Sequence, residues 1–257
     1  MSGAMSGVAF WANKHREGVQ KMTEQQITLI DGDIVAYRAA FSCEGGIEID
    51  AEDYIDELLS DIMNATQFNE SWDKVEIFLS GSSNFRKELD AEYKANRTRP
   101  KPELLPACMS YLTEAYDAKV SEDQEADDDI VIRATEIGYD DTIIASIDKD
   151  FLQVPCWHYN FNRGTMVKVE EFEGLLFFYE QILTGDAADN VKGVRGIGPV
   201  KAKKLLRGAL NEREMYEVCL KAYKGDKEKV IQNGKLLWLR REEGEDWMPP
   251  QGKVGST

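Results

Sequence analysis

Residues 184–206 read TGDAADNVKGVRGIGPVKAKKLL and point more directly to a function than any other stretch of the chain. Asp186 and Asp189 stand a helical step apart after an apolar run, so their carboxylates are suited to hold cations. The Gly-x-Gly-Pro turn predicts a hairpin between two helices, because glycine permits a positive φ and Pro199 suits the first turn of a helix. A helix N-terminus followed by lysines attracts phosphate. The stretch therefore predicts acids that hold cations, followed by a segment that binds phosphate.

Charge is distributed unevenly along the chain. Its 257 residues include 31 basic and 47 acidic ones, for a net charge of −16. A protein that simply coats nucleic acid would be basic. Two basic islands nevertheless interrupt the acidic chain, with six bases and three acids in residues 86–101 and five bases and two acids in residues 184–206. Any contact with a polyanion is therefore expected at these islands.

Cysteine and histidine usage argues against several kinds of site. The four cysteines lie far apart with no C-x-x-C spacing, which favours a reduced, cytoplasmic protein and argues against a zinc site. Two histidines are too few for histidine-based metal sites or a nucleophilic triad. No apolar run approaches the roughly 20 residues of a membrane span, so no membrane partner is expected.

Three apolar runs predict buried strands that end on acids or on a Ser-Gly turn. ITLID ends on Asp31, KVEIFL precedes Ser80, and DTIIASI leads into Asp148 and Asp150. Because the carboxyl ends of parallel strands meet at one edge of a sheet, these side chains should cluster there. We therefore expect an α/β fold with a central, mostly parallel sheet flanked by helices. A plain helix cap remains the alternative role for Asp31.

Basic and aromatic residues are mixed in the stretch after the second of these strands, NFRKELDAEYKANRTRPKP. Arg86, Lys94 and Arg97 stand among Phe85 and Tyr93. Cations that follow a backbone and rings that stack on bases are typical of a surface for single-stranded or frayed nucleic acid. A charged, solvated helix is the alternative interpretation.

An acidic run at residues 122–129 opens the predicted helix DDIVIRATEIG. Acids at a helix N-terminus often serve only to cap it and to oppose its dipole. Here Glu125 and Asp128 lie on one face at i, i+3, and so many adjacent carboxylates repel one another unless a cation neutralises them. Oxygen ligands of this kind select Mg²⁺ or Mn²⁺ over zinc.

Five motifs in order resemble the 5′ nuclease family, which comprises flap endonucleases, the 5′→3′ exonuclease domain of bacterial DNA polymerase I and free-standing phage exonucleases. They are LIDGD, FRKELDAEYKANR, QEADDDIV, SIDKDF and GDAADNVKGVRGIGPVKAKKLL, and they span residues 27–206. The free-standing phage type is the nearest in kind. The resemblance implies a PIN-like nuclease core with a helical arch and a helix–hairpin–helix element.

The expected domain organisation follows from this resemblance and from the composition at the two ends. It comprises a leader (1–22), the α/β core (23–183) with the arch region (84–124), the helix–hairpin–helix with C-terminal helices (184–240) and a mobile tail (241–257).

The resemblance also implies roles for individual residues. Two divalent cations, Mg²⁺ or Mn²⁺, would be held by Asp31, Glu125, Asp127, Asp128, Asp148, Asp150, Asp186 and Asp189. Lys94 and Arg97 would act on the scissile phosphate. DNA would be bound by Arg86, Tyr93, Lys192, Gly196, Gly198, Lys201, Lys203 and Lys204, with a potassium ion at the hairpin carbonyls near Gly196–Gly198.

The activity implied is two-metal-ion hydrolysis of DNA phosphodiesters, as a 5′→3′ exonuclease or flap endonuclease. Its partners would be DNA with 5′ ends, flaps or junctions and also RNA–DNA hybrids, and a monomer is expected. One departure concerns a metal position. The family usually has an aspartate where this chain has Ser80, and Asp33 stands where many relatives have asparagine, so Asp33 could partly compensate.

Two rival interpretations remain open at this stage. LIDGDIV, FLSGS and GDAAD also resemble the motifs of haloacid-dehalogenase-like phosphatases. That interpretation leaves GIGPVKAKKLL and YKANR without a role. The other rival is a structure-selective DNA-binding protein without turnover, which only Ser80 favours.

Overall fold

The central element of the fold is a six-stranded sheet with the strand order β3-β2-β1-β4-β5-β6. A computed structural model describes residues 26–67 and 74–251, so the predicted leader lies outside the described residues. The strands are β1 (Ile27–Asp31), β2 (Val75–Leu79), β3 (Lys119–Val120), β4 (Thr142–Ala145), β5 (Trp157–Asn160) and β6 (Thr165–Lys168). Only the β5–β6 pair is antiparallel within this sheet. The predicted α/β fold with a mostly parallel sheet is thus confirmed.

Helices cover both faces of the sheet. They are α1 (Gly32–Ser42), α2 (Glu48–Thr66), α4 (Leu105–Tyr116) and α5 (Ala126–Ile137), while the short α3 (Phe85–Leu89) lies against the C-terminal helix Lys227–Leu237. Side chains of a strand alternate between faces. Ile30 accordingly packs with α1, α2 and α4, whereas Leu29 packs with α5 on the other face. The arrangement leaves the carboxyl edge of the sheet between two helical layers.

A second apolar cluster forms beyond the sheet. It contains α6 (Glu171–Thr184), α7 (Pro199–Leu206), α8 (Glu212–Ala222) and α9 (Lys227–Leu237). A short antiparallel ladder, β7 (Gly185–Asp186) with β8 (Val191–Lys192), connects α6 to α7. Because Phe178, Ile182 and Leu183 of α6 are buried in this cluster, the helical region begins before residue 184, where we had predicted its boundary.

The predicted helical arch takes a different form. Within residues 84–124, α3 has five residues and α4 packs on the sheet through Leu105, Cys108 and Leu112. Residues 90–104 between them form turns and irregular structure. Pro100 and Pro102 lie in this stretch, and proline has no amide hydrogen to donate to a helix.

The predicted tail packs against the helical cluster within its described part, which ends at residue 251. Trp247 is only 4 % exposed, and its ring centroid lies 5.4 Å from that of Phe178. Gly234 makes room for the indole, since a Cβ there would come within 2.1 Å of the Trp247 ring. The tail therefore completes the helical cluster.

The described residues contain neither a membrane-spanning helix nor a disulfide. None of the helices in this part of the chain is long and apolar enough to cross a membrane. The four cysteines all lie in the described residues and none forms a disulfide.

Candidate active site

A cleft of about 420 Å³ opens at the carboxyl edge of the sheet. Acids and bases line it together. The acids are Asp31, Asp33, Glu125, Asp127 and Asp148. The bases are Lys87, Lys94, Arg97, Arg99 and Lys101. The expected clustering of strand-end acids is thus seen, and the first basic island forms the facing side of the cleft.

Asp31 ends β1 and lies at the floor of the cleft, 2 % exposed. One carboxylate oxygen accepts the amide hydrogen of Ile34 at 3.2 Å and so caps α1, while the other accepts the Ser146 hydroxyl at 2.7 Å. Burial raises the pKa of Asp31 to about 7, and Asp33 and Asp148 add to the increase. Asp31 is therefore both the helix cap of the simpler interpretation and a member of the acidic cluster.

Asp127 lies in the first turn of α5 and faces the same cleft. Burial raises its pKa well above the usual range, and repulsion from Asp31, Glu125 and Asp148 raises it further. Carboxylates that repel one another in a site of low dielectric favour a bound cation. All the donors are hard oxygens, so the donor set fits Mg²⁺ or Mn²⁺.

Glu125 caps the N-terminus of α5 and contacts two residues of the YKANR motif. The Tyr93 hydroxyl lies 2.8 Å from Glu125 Oε2 and 2.9 Å from Asp189 Oδ2. Lys94 forms a short ion pair with Glu125, and its Nζ lies 3.8 Å from Asp189 Oδ2. Although burial raises the pKa of Glu125, Lys94 and Arg86 lower it below the usual value.

Residues 92–97 are also fixed to the loop between β7 and β8. The amide of Lys94, a residue with φ of 57°, donates to the carbonyl of Asp189 at 3.0 Å. The side chain of Asn96 donates to the carbonyl of Ala187 at 2.7 Å, and Arg97 Nη2 lies 2.7 Å from Asp189 Oδ1. The phosphate-binding candidates Lys94 and Arg97 are therefore held beside the acids by both backbone and side-chain contacts.

Asp150 and Asp186 are brought together by Lys149, which we had not predicted as a site residue. Its Nζ lies 3.2 Å from Asp150 Oδ1 and 2.6 Å from Asp186 Oδ2. Gln181, a second residue missed from the sequence, donates to Asp150 Oδ1 at 2.7 Å. Burial raises the pKa of Asp150 to about 6, and Asp148 contributes. Burial also acts to raise the pKa of Asp186, but Lys149 lowers it below the usual range.

These carboxylates are neighbours without forming a preassembled metal cage. Among the described residues, no three acidic, histidine or cysteine side chains are arranged as a metal site. Lys94, Arg97 and Lys149 instead bridge or contact the acids. The donor chemistry thus fits divalent cations, while the side-chain positions favour internal ion pairs.

Three predicted roles are corrected by burial. Asp128 is 0 % exposed and is held by Arg86, itself 1 % exposed, so neither can reach a metal or DNA in the cleft. The i, i+3 spacing predicted that Asp128 lies beside Glu125 as a metal ligand, but its carboxylate accepts two hydrogen bonds from Arg86 instead. Tyr93 is 4 % exposed and belongs to the helical cluster, so it orients acids instead of stacking on a base.

The second basic island lies on the surface around the start of α7. Gly196 has φ of 79°, and Gly198 caps the helix that Pro199 begins. The predicted DNA contacts that are exposed here are Lys192, Gly196, Gly198, Lys201, Lys203 and Lys204. Lys201 Nζ lies 3.3 Å from the carbonyl of Gly196, where a potassium ion was predicted.

Ser80, the departure from the family pattern, lies in the cleft with Asp33. Its hydroxyl accepts the amide hydrogen of Ala126 at 2.9 Å, and its own amide donates to Asp33 Oδ1 at 3.0 Å. Ser80 thus fixes the start of α5, and Asp33 supplies a carboxylate beside it.

Comparison with known proteins points to one family. Residues 26–173 match the sequence model of the 5′-3′ exonuclease, N-terminal resolvase-like domain. The chain is 37 % identical over 139 residues to the flap endonuclease Xni of Shewanella piezotolerans, covering 48 % of this chain and 54 % of that protein. It is 32 % identical over 209 residues to DNA polymerase I of Bacillus caldotenax, covering 72 % of this chain and 23 % of the polymerase. The chain thus matches about half of the first relative and a smaller part of the second.

Solved structures share the fold. The D15 protein of T5, co-crystallised with metal ions, superimposes with a TM-score of 0.65 at 18 % identity, covering 82 % of this chain and 89 % of that chain. A T5 D15 flap endonuclease variant with DNA and metal ions gives a TM-score of 0.62 at 17 % identity, covering 82 % and 88 % of the two chains. Flap endonuclease-1 from Methanococcus jannaschii gives 0.53 at 14 % identity, covering 87 % and 81 %.

Proposed function

Because the chain belongs to the 5′-3′ exonuclease family, we propose that it hydrolyses DNA phosphodiesters from 5′ ends or at flaps with the help of divalent cations. The observation that carries this proposal is the cleft, in which acids from β1, α5 and the residues after β4 face Lys94 and Arg97. Family membership leaves no support for the phosphatase interpretation. The DNA-binding interpretation without turnover remains the alternative that an assay must exclude.

Seven of the eight predicted ligands remain candidates to hold two divalent cations, Mg²⁺ or Mn²⁺. They are Asp31, Glu125, Asp127, Asp148, Asp150, Asp186 and Asp189. When bound, such cations neutralise phosphate charge and lower the pKa of a coordinated water. Burial raises the pKa values of Asp31, Asp127 and Asp150, and repulsion between neighbouring carboxylates adds to the increase. A bound cation would stabilise the charged form of these acids, which is the physical reason for the site to accept one.

Lys94 and Arg97 would bind the scissile phosphate. Both already contact carboxylates at the cleft, and the pKa of each is raised because these acids outweigh the effect of burial. Each side chain therefore stays charged at neutral pH. Positive groups fixed where negative charge develops lower the barrier of phosphoryl transfer.

The exposed lysines of β8 and α7 would bind the DNA backbone, as a helix–hairpin–helix element does. They are Lys192, Lys201, Lys203 and Lys204, beside the Gly196 and Gly198 turn. Lys201 already contacts the Gly196 carbonyl, so a potassium ion at the hairpin would compete with its ammonium. We infer further that the protein acts as a monomer in the reducing cytoplasm, which its unpaired cysteines suit. RNA–DNA hybrids belong to the same proposed range of substrates.

A cleavage assay tests the proposal. A 5′-flap duplex and a blunt duplex, each labelled at the 5′ end, are incubated with Mg²⁺ or with EDTA. Metal-dependent release of short 5′ fragments is expected, and the Asp150→Asn variant should lose cleavage but keep most of its DNA affinity. Asp140→Asn is the matched control, because Asp140 is an exposed aspartate outside the cleft. DNA binding without any cleavage would favour the non-catalytic alternative.

A further inference from the structure

Among the described residues, Lys149 contacts two acids of the cluster, and the proposed phosphate contacts leave it without a role. It stands between Asp148 and Asp150 in the chain, in the short 3₁₀ turn Lys149–Gln153. Its ammonium bridges Asp150 Oδ1 and Asp186 Oδ2 at 3.2 Å and 2.6 Å. These two acids come from different parts of the fold, one after β4 and one in β7.

The oxygen that Lys149 contacts on Asp186 is the one that the backbone leaves accessible. Asp186 Oδ1 accepts the amide hydrogens of Ala188 at 2.7 Å and Asp189 at 3.3 Å. The other oxygen, Oδ2, accepts from the Lys149 ammonium. A divalent cation bound by Asp186 would need this same oxygen, so the ammonium and the metal compete for it.

Lys149 can also leave the acidic cluster more easily than Lys94. Its side chain is 60 % exposed, whereas that of Lys94 is 17 % exposed. Lys94 is further fixed by its backbone bond to Asp189, while the long Lys149 side chain can turn toward solvent at small cost. Its ion pairs lie at the rim of the cluster, where such pairs contribute modestly.

We propose that Lys149 is a built-in counter-ion of Asp150 and Asp186 that competes with divalent cations and sets the metal concentration at which the site fills. This inference rests on the proposed function in one respect, namely that these acids hold metal. Lys149 is a positioning residue in this scheme. It acts through the two carboxylates and needs no contact with DNA.

Metal binding measured without DNA tests the proposal. Each protein is stripped with EDTA, dialysed and titrated with Mn²⁺ and then Mg²⁺ in a calorimeter. Lys149→Met should bind about twofold to fivefold more tightly than the unchanged chain, the range expected from removing a partly exposed ion-pair competitor. Lys149→Arg keeps the charge and should bind as the unchanged chain does.

Lys119→Met is the matched control. Lys119 is 54 % exposed and pairs with Glu76 at 2.5 Å, away from the cleft, so its removal should leave metal affinity unchanged. Metal binding by Lys149→Met that is equal to or weaker than that of Lys119→Met overturns the inference. Lys149→Gln gives a second uncharged variant if the methionine variant does not fold. Absence of saturable binding in every protein, the unchanged chain included, would instead overturn the proposed function and this inference with it.

Discussion

The guanidinium of Arg86 holds the carboxylate of Asp128 through two hydrogen bonds, of 2.5 Å and 2.8 Å, in the interior of the protein. Arg86 also donates to the carbonyls of Leu236 and Trp238, and the amide of Arg240 donates to Asp128. The pair therefore joins the C-terminal segment to the start of α5, where Glu125 and Asp127 enter the cleft.

Arg86→Met should lower the free energy of unfolding by about 3–5 kcal/mol, because it leaves a buried carboxylate without its partner. Denaturant unfolding followed by circular dichroism measures this. The double variant Arg86→Met/Asp128→Leu should recover part of the loss. Arg133→Met is the control, since its ion pair with Glu76 is partly exposed and should contribute less. Equal losses in the two single variants would contradict the assigned role of the buried pair.

Lys94→Ala and Arg97→Ala should each slow cleavage by roughly 10²–10³-fold, because they remove a cation from the developing phosphate charge. Single-turnover cleavage with saturating enzyme separates this effect from DNA binding, which should change little. Arg163→Ala removes an exposed arginine in the β5–β6 turn and should cleave normally. Weakened DNA binding with an unchanged cleavage rate would reassign both residues to DNA binding.

Replacing Lys203 and Lys204 by alanine should weaken duplex binding and flatten its salt dependence. The slope of log K against log salt should fall by about one for each lysine that contacts a phosphate. Fluorescence anisotropy at several salt concentrations measures the slope. Lys229→Ala, on α9, is the comparison variant, and a slope that stays the same in the double variant would remove α7 from the DNA interface.

His158 makes stability depend on pH. Burial lowers its pKa from 6.5 to about 4, and its Nε2 lies 2.8 Å from the carbonyl of Val154. Between these pH values the unfolded chain takes up a proton that the folded protein does not. His158 therefore makes the folded state less stable as pH falls from 6.5 to 4, by at most about 3 kcal/mol. His158→Gln should show a shallower dependence of unfolding free energy on pH over this range, and an unchanged slope would contradict the burial effect.

Much of the fold follows from local pattern. ITLID, KVEIFL and DTIIASI are mostly apolar runs that form strands, and their ends place Asp31, Asp148 and the Ser80 turn at one edge of the sheet. Local spacing could not show, however, that Glu125 lines the cleft while Asp128 is buried. Asp128 is held by Arg86, which lies 42 residues away in the chain. The spacing of residues within one helix carries no information about ion pairs between distant parts of the chain.

Two residues of the site, Lys149 and Gln181, were not predicted from the sequence. In SIDKDF the two acids, Asp148 and Asp150, were predicted as metal ligands, and no role was predicted for Lys149 between them. Its role depends on Asp186, which lies 37 residues further along the chain. Gln181 lies in the apolar run that precedes Asp186, and its side-chain amide donates to Asp150. The position of the polar Gln181 in a mostly apolar helix was the feature of the sequence that could have indicated its role.

The indole of Trp247 has a practical consequence for where the chain can be shortened. Judged by composition, the polar run REEGED marks an obvious place to cut. A cut there would remove the ring that fills the space beside Gly234 and would expose Phe178 to water. A shortened form intended for crystallisation or expression should therefore retain residue 247, and the natural place to trim lies after it.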